Sequence, residues 1–208
     1  MIKCIHLASE SPRRKLLLKK ICLDLNIKMF ILKANPKVNS REFEKPKLNE
    51  KPINYVKRVS LKKALTAESW VKENKIIKHP ILTGDTIVCF ENKILLKPNC
   101  KMEAFEMLKT LSDNKHKVIS SIVLCFPCAM GNTPKIKQRT VSTTVWFTKI
   151  PDKWILKYTR TNEPMDKSGA YAIQGEASMF IKKINGSYFI LYRTRDKQLK
   201  CKFLFLSY

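Results

Sequence analysis

Short, β-rich apolar runs alternate with segments of helical spacing along this 208-residue chain, and the alternation sets its fold class. It predicts a mixed α/β protein in which helices cover a sheet. The predicted strands are residues 2–8, 27–33, 80–90, 94–96, 116–126 and 140–148, followed by a hairpin over 177–192 with Asn185-Gly186 at its turn. The predicted helices are residues 12–22, 55–74, 102–111 and 151–158, with a long loop over 35–52. The length allows one domain, or two lobes that share a sheet.

The junction between the first strand and the first helix is unusually polar. It carries Ser9, Ser11, Pro12, Arg13 and Arg14 in six residues. One interpretation is structural: a serine N-cap followed by proline at the first helical position. The other is an anion site, because hydroxyls, helix N-terminal N–H groups and two guanidinium groups converge there. The residues alone leave both interpretations open.

The net charge of +24 raises the question of a polyanionic partner. The lysines are spread along the whole chain, together with many Asn and Ile residues, which favours a general compositional bias. They form no patch with interleaved aromatic residues of the kind that binds single-stranded nucleic acid. We therefore do not expect a nucleic-acid partner, although a basic nucleic-acid-binding protein stays the alternative. In both cases the positive electrostatic field of the protein attracts anionic ligands, including nucleotides.

Neither targeting signals nor the cysteines indicate a specific function. The sequence shows no run long enough to span a bilayer and no secretory pattern, so we expect a cytoplasmic protein without a membrane partner. The seven cysteines are an odd number and mostly lie in apolar segments. Cys125 and Cys128 have C-x-x-C spacing, but neither a second pair nor a nearby histidine completes a zinc site.

Three further segments carry candidate chemistry. Asp85, at the end of an apolar strand and next to Gly84, is a metal ligand, a general base or a capping carboxylate. Lys97, before a proline, is a point charge for phosphate or an ordinary surface lysine. Gln174 ends a polar, glycine-containing segment, where an amide can bind a base edge or orient water. Together these residues describe a site for a metal-bound phosphate ester, without a P-loop or a dinucleotide-binding glycine motif.

Several motifs occur in a fixed order. They are Leu7-Ala8-Ser9-x-Ser11-Pro12-Arg13-Arg14, Gly84-Asp85-Thr86-x-Val88, Lys97-Pro98, Leu111-Ser112 with His116-x-Val118, Glu163-Pro164-x-Asp166-Lys167-x-Gly169-Ala170-Tyr171-x-Ile173-Gln174-Gly175, and Asn185-Gly186-Ser187-Tyr188. Each alone is weak, but the ordered set resembles the Maf family of nucleoside triphosphate pyrophosphatases. Asp85-Thr86, His116 and Ala170–Gly175 resemble its dTTP/UTP pyrophosphatase branch rather than its 7-methyl-GTP branch.

The resemblance implies a fold and an activity. The implied fold is a single Maf-like domain over residues 1–208, with an elongated, twisted mixed sheet flanked by helices and two lobes around a central cleft. The implied reaction is hydrolysis of dTTP or UTP, extending to modified pyrimidine triphosphates, to the monophosphate and pyrophosphate with Mg or Mn. The resemblance also implies a homodimer.

The resemblance assigns roles to individual residues. It implies that Ser9, Arg13 and Arg14 hold the triphosphate and that Lys63 and Lys97 add positive charge. Asp85 is the implied general base, or the metal-linked group that activates the water attacking the α-phosphorus. Gln174 is implied to recognise the base or complete the polar site. The implied loop carboxylate that binds metal with Asp85 is Glu44, with Glu42 as the alternative.

The end of the chain departs from the family pattern. Residues 189–208 are basic and contain a cysteine, whereas the family usually continues with Gly-Leu-Pro and a closing helix. Divergence and a change of reading frame would each produce such a tail. The departure concerns the last packing layer and the dimer contact more than the catalytic set, and it keeps an inactive relative as an alternative.

Overall fold

The computed structural model describes residues 2–33, 35–36, 38–128 and 133–186. Within these ranges the chain forms seven strands and five α-helices. The strands are β1 (Cys4–Leu7), β2 (Lys28–Ile31), β3 (Ile81–Phe90), β4 (Lys93–Leu95), β5 (Lys115–Phe126), β6 (Lys135–Phe147) and β7 (Ile181–Asn185). The helices are α1 (Pro12–Asp24), α2 (Ser40–Phe43), α3 (Pro52–Glu73), α4 (Lys101–Leu111) and α5 (Asp152–Arg160), with short 3-10 helices at Glu163–Asp166, Ser168–Ala170 and Glu176–Phe180. None of these helices is both long and apolar enough to cross a membrane.

All seven strands of the described chain join one mixed sheet. Its order is β2-β1-β3-β5-β6-β7, and β4 pairs separately with β3. β1 runs parallel to β2 and to β3, whereas the other pairs are antiparallel. The prediction of a mixed α/β fold with helices around a sheet is confirmed.

The sheet opens beside the middle of β3. β1 pairs with β3 at two positions, of which the last is Leu7 with Leu82, and β4 joins the same side of β3 from Val88 onward. Between them, Thr83–Ile87 pairs with β5 but, within the described residues, with no strand on the other side. A crevice beyond the carboxyl end of a parallel strand is a common ligand site in α/β sheets. Asp85 lies in this stretch.

The hydrophobic core is divided along the sheet. One cluster packs under α4 and α5 and includes Leu108, Phe147 and Ile155. Three smaller clusters pack against α1 and α3, where side chains such as Leu18 and Val59 are buried. The open stretch of β3 therefore runs between two differently packed ends of the sheet.

Three local predictions are wrong. The predicted loop over 35–52 contains α2, and Pro52 begins α3 rather than ending the loop, because proline suits the first helical position. β6 begins five residues before position 140, since its polar first half pairs with β5 despite lacking an apolar run. The first limb of the predicted hairpin starts as the 3-10 helix Glu176–Phe180. Its second limb and the atypical tail lie outside the described residues.

Candidate active site

The β1–α1 junction is capped as the structural interpretation predicts. Ser11 is the N-cap of α1 and its hydroxyl accepts a hydrogen bond from the Arg14 N–H, with Pro12 in the first turn. The Ser9 hydroxyl accepts from the Ser11 N–H at 3.3 Å. The first turn contains no acidic residue. A capped helix N-terminus without local carboxylates presents a positive end to the crevice, so the cap and an anion site are compatible.

The two adjacent arginines have different surroundings. Arg14 is half-buried and donates from Nη1 to the Gly84 carbonyl at 2.7 Å and to the Ser9 hydroxyl at 3.4 Å. Its Nη2 donates to the Thr86 hydroxyl at 3.3 Å. Burial lowers the pKa of Arg14 from its usual value, while nearby Asp85 opposes that shift. Arg14 therefore joins the β1–α1 loop to the open edge of β3, whereas Arg13 is exposed.

This difference predicts unequal effects of replacing each arginine with lysine. Arg14→Lys should lower the free energy of unfolding by about 1–2 kcal/mol, because a lysine cannot donate to Gly84 and Thr86 from one planar group. Arg13→Lys should change it by less than about 0.5 kcal/mol, as is usual for an exposed residue. Urea unfolding of both variants is the test. Equal destabilisation by the two replacements would contradict the assignment.

Asp85 is part of a chain of charges that crosses the crevice. The Lys63 ammonium from α3 lies 2.8 Å from Asp85 Oδ1 and 2.7 Å from Glu44 Oε1. All three side chains are partly buried, and Asp85 is 15% exposed. Solvent thus reaches the Asp85 carboxylate, while burial strengthens its interaction with Lys63.

The segment that carries Glu44 is braced from α3. The Tyr55 hydroxyl donates to the Glu44 carbonyl at 2.6 Å. Arg58 donates to the carbonyls of Phe43 at 2.7 Å and Lys45 at 3.0 Å. These bonds fix the backbone on both sides of Glu44, which explains how a residue from an irregular segment meets Lys63.

The geometry separates the two loop carboxylates. Glu44 contacts Lys63, whereas Glu42 lines a shallow cavity of about 480 Å³ with Lys62 and Thr66. Mg²⁺ commonly uses one or two carboxylates and completes its shell with water and substrate phosphate. Glu44 and Asp85, held by one ammonium, provide such a donor pair. The described residues contain no group of three or more His, Cys, Asp or Glu side chains placed to hold a metal.

A partly buried polar network lies behind Asp85, and the sequence does not predict it. Ser121 pairs with Asp85 in the β3–β5 register, and its hydroxyl lies 2.9 Å from the Ser60 hydroxyl. Gln138 donates to both hydroxyls at 3.0 Å, and Thr140 donates to Ser121 at 3.1 Å. The network ties α3 to the sheet one helical turn before Lys63. A serine in a helix, such as Ser60, or in a β-rich segment, such as Ser121, gives no signal of such a role.

The glycine-containing segment that precedes Gln174 is attached to β3 and β4. The Ser168 hydroxyl accepts from the Val88 N–H at 2.7 Å and donates to the Leu95 carbonyl. The Gly169 N–H donates to the Leu96 carbonyl at 3.2 Å. Gln174 and Lys97, both exposed, follow this attachment on the two segments that it joins.

His116 supports the same segment from the core. Its Nε2 lies 2.6 Å from the Tyr171 hydroxyl, and both rings pack edge-on against Phe147. Burial lowers the pKa of His116 from 6.5 to about 4. The ring is therefore neutral at neutral pH and acts as a packed hydrogen-bonding group.

The pKa of His116 predicts a pH dependence of stability. Between about pH 6.5 and pH 4 the unfolded chain binds a proton that the folded chain excludes, so the free energy of unfolding should fall by about 1.4 kcal/mol per pH unit as pH decreases. Above about pH 6.5 the contribution of His116 to the free energy of unfolding no longer changes with pH. Urea unfolding across the range should show a shallower slope for His116→Gln than for the wild type. Identical slopes would show that the folded state accepts the proton.

These contacts define a class of protein. A mixed α/β sheet opens beside a strand, and the opening brings together a helix N-terminus, arginine and lysine cations, and two carboxylates. Such a site suits a phosphate ester, whose charge must be neutralised while a water is activated. Direct contacts join Ser9 to Arg14, and Lys63 to Glu44 and Asp85. Arg14 reaches β3 at Gly84 and Thr86, the two neighbours of Asp85. Arg13, Lys97 and Gln174 are exposed.

Sequence comparisons agree with this class. The Maf-like protein family matches residues 4–192, and the chain belongs to the Maf family. A dTTP/UTP pyrophosphatase of Dechloromonas aromatica is 36% identical over 184 residues, covering 88% of each chain. One of Clostridium botulinum is 37% identical over 187 residues, covering 89% of each. The predicted family is confirmed.

Among solved structures, a nucleoside-triphosphatase (dITP/XTP pyrophosphatase) from Mycobacterium abscessus aligns with a TM-score of 0.44 and 12% identity. The alignment covers 71% of this chain and 74% of that one. The family assignment rests on the sequence matches.

Proposed function

We propose that this protein is a nucleoside triphosphate pyrophosphatase that hydrolyses dTTP and UTP to the monophosphate and pyrophosphate. The observation that carries the proposal is the position of Asp85 on the open stretch of β3, partly exposed and paired with Lys63. The names of the relatives, dTTP/UTP pyrophosphatase, supply the substrate class. Modified pyrimidine triphosphates belong to the same proposal, as the family resemblance implies.

We propose that cationic groups bind the triphosphate. These groups are the N-terminus of α1, the exposed side chains of Arg13 and Lys97, and the partly exposed Lys63 ammonium. Arg14 orients the loop on which Ser9 and Arg13 lie. Phosphoryl transfer needs little covalent help from a protein, so positioning and charge neutralisation do most of the work.

Asp85 is the proposed general base for the attacking water. Its carboxylate is an acceptor in reach of solvent and lies on a strand whose backbone is fixed by pairing with β5. Glu44 and Asp85 would hold Mg²⁺ or Mn²⁺, which when bound neutralises phosphate charge and makes a coordinated water more acidic. Gln174 is proposed to contact the base. We also propose that the protein acts in the cytoplasm as a homodimer, as the family resemblance implies.

The proposed function is tested by pyrophosphate release from dTTP, UTP, CTP, GTP, ATP and 7-methyl-GTP, each with Mg²⁺ or Mn²⁺. We expect turnover of dTTP and UTP in preference to the others. A folded protein that hydrolyses none of the six would overturn the activity, and a preference for 7-methyl-GTP would overturn the branch.

A further inference from the structure

Lys63 has an unusual position for a residue expected to bind phosphate. Its ammonium is not directed at open solvent but lies between two carboxylates, 2.7 Å from Glu44 Oε1 and 2.8 Å from Asp85 Oδ1. These are the side chains proposed above as metal ligands. A divalent cation held by these two carboxylates would compete with the ammonium for the same oxygens, because Nζ already pairs with one oxygen of each.

We propose that Lys63 and the divalent metal compete for Glu44 and Asp85, so that metal binding displaces the Lys63 ammonium and frees it for the anionic substrate. The inference rests on the proposed function, because it takes Glu44 and Asp85 as the metal ligands. It adds a specific role for Lys63: without metal, its ammonium serves as the cation of the site.

The charges explain why the ammonium would be needed without metal. Two partly buried carboxylates that face each other repel. The Lys63 ammonium offsets this repulsion, because it lies within 2.8 Å of an oxygen of each carboxylate. A divalent cation held by the same two carboxylates would repel the Lys63 ammonium, because like charges interact strongly in a partly buried site.

The surrounding structure makes Lys63 the part that can move. The backbone of Glu44 is fixed by the Tyr55 hydroxyl, and Asp85 lies in a strand paired with β5. Lys63 has a flexible four-carbon stem and is 25% exposed, so its ammonium has a route towards the crevice. An arginine here would hold both carboxylates through a rigid planar group and would be harder to displace.

The first experiment measures Mn²⁺ binding without nucleotide, by the electron paramagnetic resonance signal of free Mn²⁺. Lys63→Met should bind Mn²⁺ about tenfold more tightly than the wild type, since the competing ion pairs are gone. Lys62→Met is the matched control: it removes the same charge from the neighbouring position of α3, where the side chain is exposed beside Glu42. It should change the affinity by about twofold or less through longer-range charge.

A second measurement follows the ammonium directly. Reductive methylation, read by mass spectrometry, should label Lys63 slowly without metal and faster with Mg²⁺, while Lys62 in the same peptide is unaffected. Lys63 that stays protected while Mn²⁺ binds would overturn the inference. So would equal affinity changes in the Lys62 and Lys63 variants, weaker binding by Lys63→Met, or no Mn²⁺ binding by either protein.

The outcomes separate this inference from the proposed activity. Hydrolysis of dTTP together with an unchanged Mn²⁺ affinity in Lys63→Met would overturn the competition and leave the activity standing. Tighter Mn²⁺ binding by Lys63→Met, with no nucleotide hydrolysed by the wild type, would overturn the activity and leave the competition standing.

Discussion

Asp85→Asn should lower kcat for dTTP and UTP by about 10²–10⁴-fold, the usual contribution of a general base. The replacement is nearly isosteric, and its amide oxygen can still accept the hydrogen bond that Lys63 donates to Oδ1. The loss should therefore report on proton acceptance and on the proposed metal contact of the carboxylate rather than on misfolding. Steady-state pyrophosphate release measures it, with thermal unfolding as the check on structure.

Asp152→Asn is the matched control for Asp85→Asn. Asp152 also pairs with a lysine at 2.7 Å, but both side chains of that pair are more than half exposed on α5 and α4. Exposed ion pairs contribute about 0–1 kcal/mol to stability, so activity should change by less than about twofold. A kcat for Asp85→Asn within about tenfold of the wild type would show that another group accepts the proton.

Gly169→Ala should be the most destabilising single-methyl change in the segment before Gln174. Gly169 has a φ of +68°, and an added Cβ would lie 2.8 Å from the Val88 Cβ. We expect a loss of about 2–4 kcal/mol in the free energy of unfolding, from the left-handed backbone and from overpacking. kcat/KM should fall as well, because the segment positions Gln174. Urea unfolding and steady-state kinetics test both effects.

The neighbouring residue offers a control for Gly169→Ala. Ala170 also has a positive φ, of 59°, so Ala170→Gly relieves backbone strain while removing one buried methyl group. These effects oppose each other, and we expect a change below about 1 kcal/mol. An added Cβ would also lie 2.8 Å from Val88 Cγ1 and 3.0 Å from Val88 Cγ2. Val88→Ala should remove these two overlaps but neither the one with Cβ nor the backbone cost, so the double variant should be less destabilised than the sum of the single variants. Additive effects would refute a direct overlap.

The sequence predicts elements best where local pattern and tertiary packing agree. The apolar stretch around Asp85 is recognisable as a strand because its neighbours are β-branched or apolar and buried. The sequence does not predict the first half of β6, because Lys135, Lys137 and Arg139 alternate with few apolar residues. Only pairing with β5 makes this segment a strand. The helix α2 is too short to produce a periodic pattern.

In the candidate site, too, some residues are recognisable from the local sequence pattern and others only from tertiary contacts. Ser9, Arg13, Arg14 and Asp85 stand out because they interrupt recognisable elements. The choice between Glu44 and Glu42 depends on which carboxylate reaches Lys63, and this requires the positions of distant segments. The different roles of Arg13 and Arg14, like the contacts of Gln138, follow from tertiary hydrogen bonds that no local spacing encodes.

The sparse contact between β1 and β3 has a consequence for the order of folding. β5 and β6 are neighbours in the chain and pair at twelve positions, whereas β1 meets β3 at two positions, His6 with Ile81 and Leu7 with Leu82. Contacts between distant segments close a long loop before they gain stability, so they tend to form late. The β1–α1 junction should therefore dock onto a preformed sheet and open first in the native state. Amide hydrogen exchange should be faster there than in β5, and a bound triphosphate should slow it by holding the junction in place.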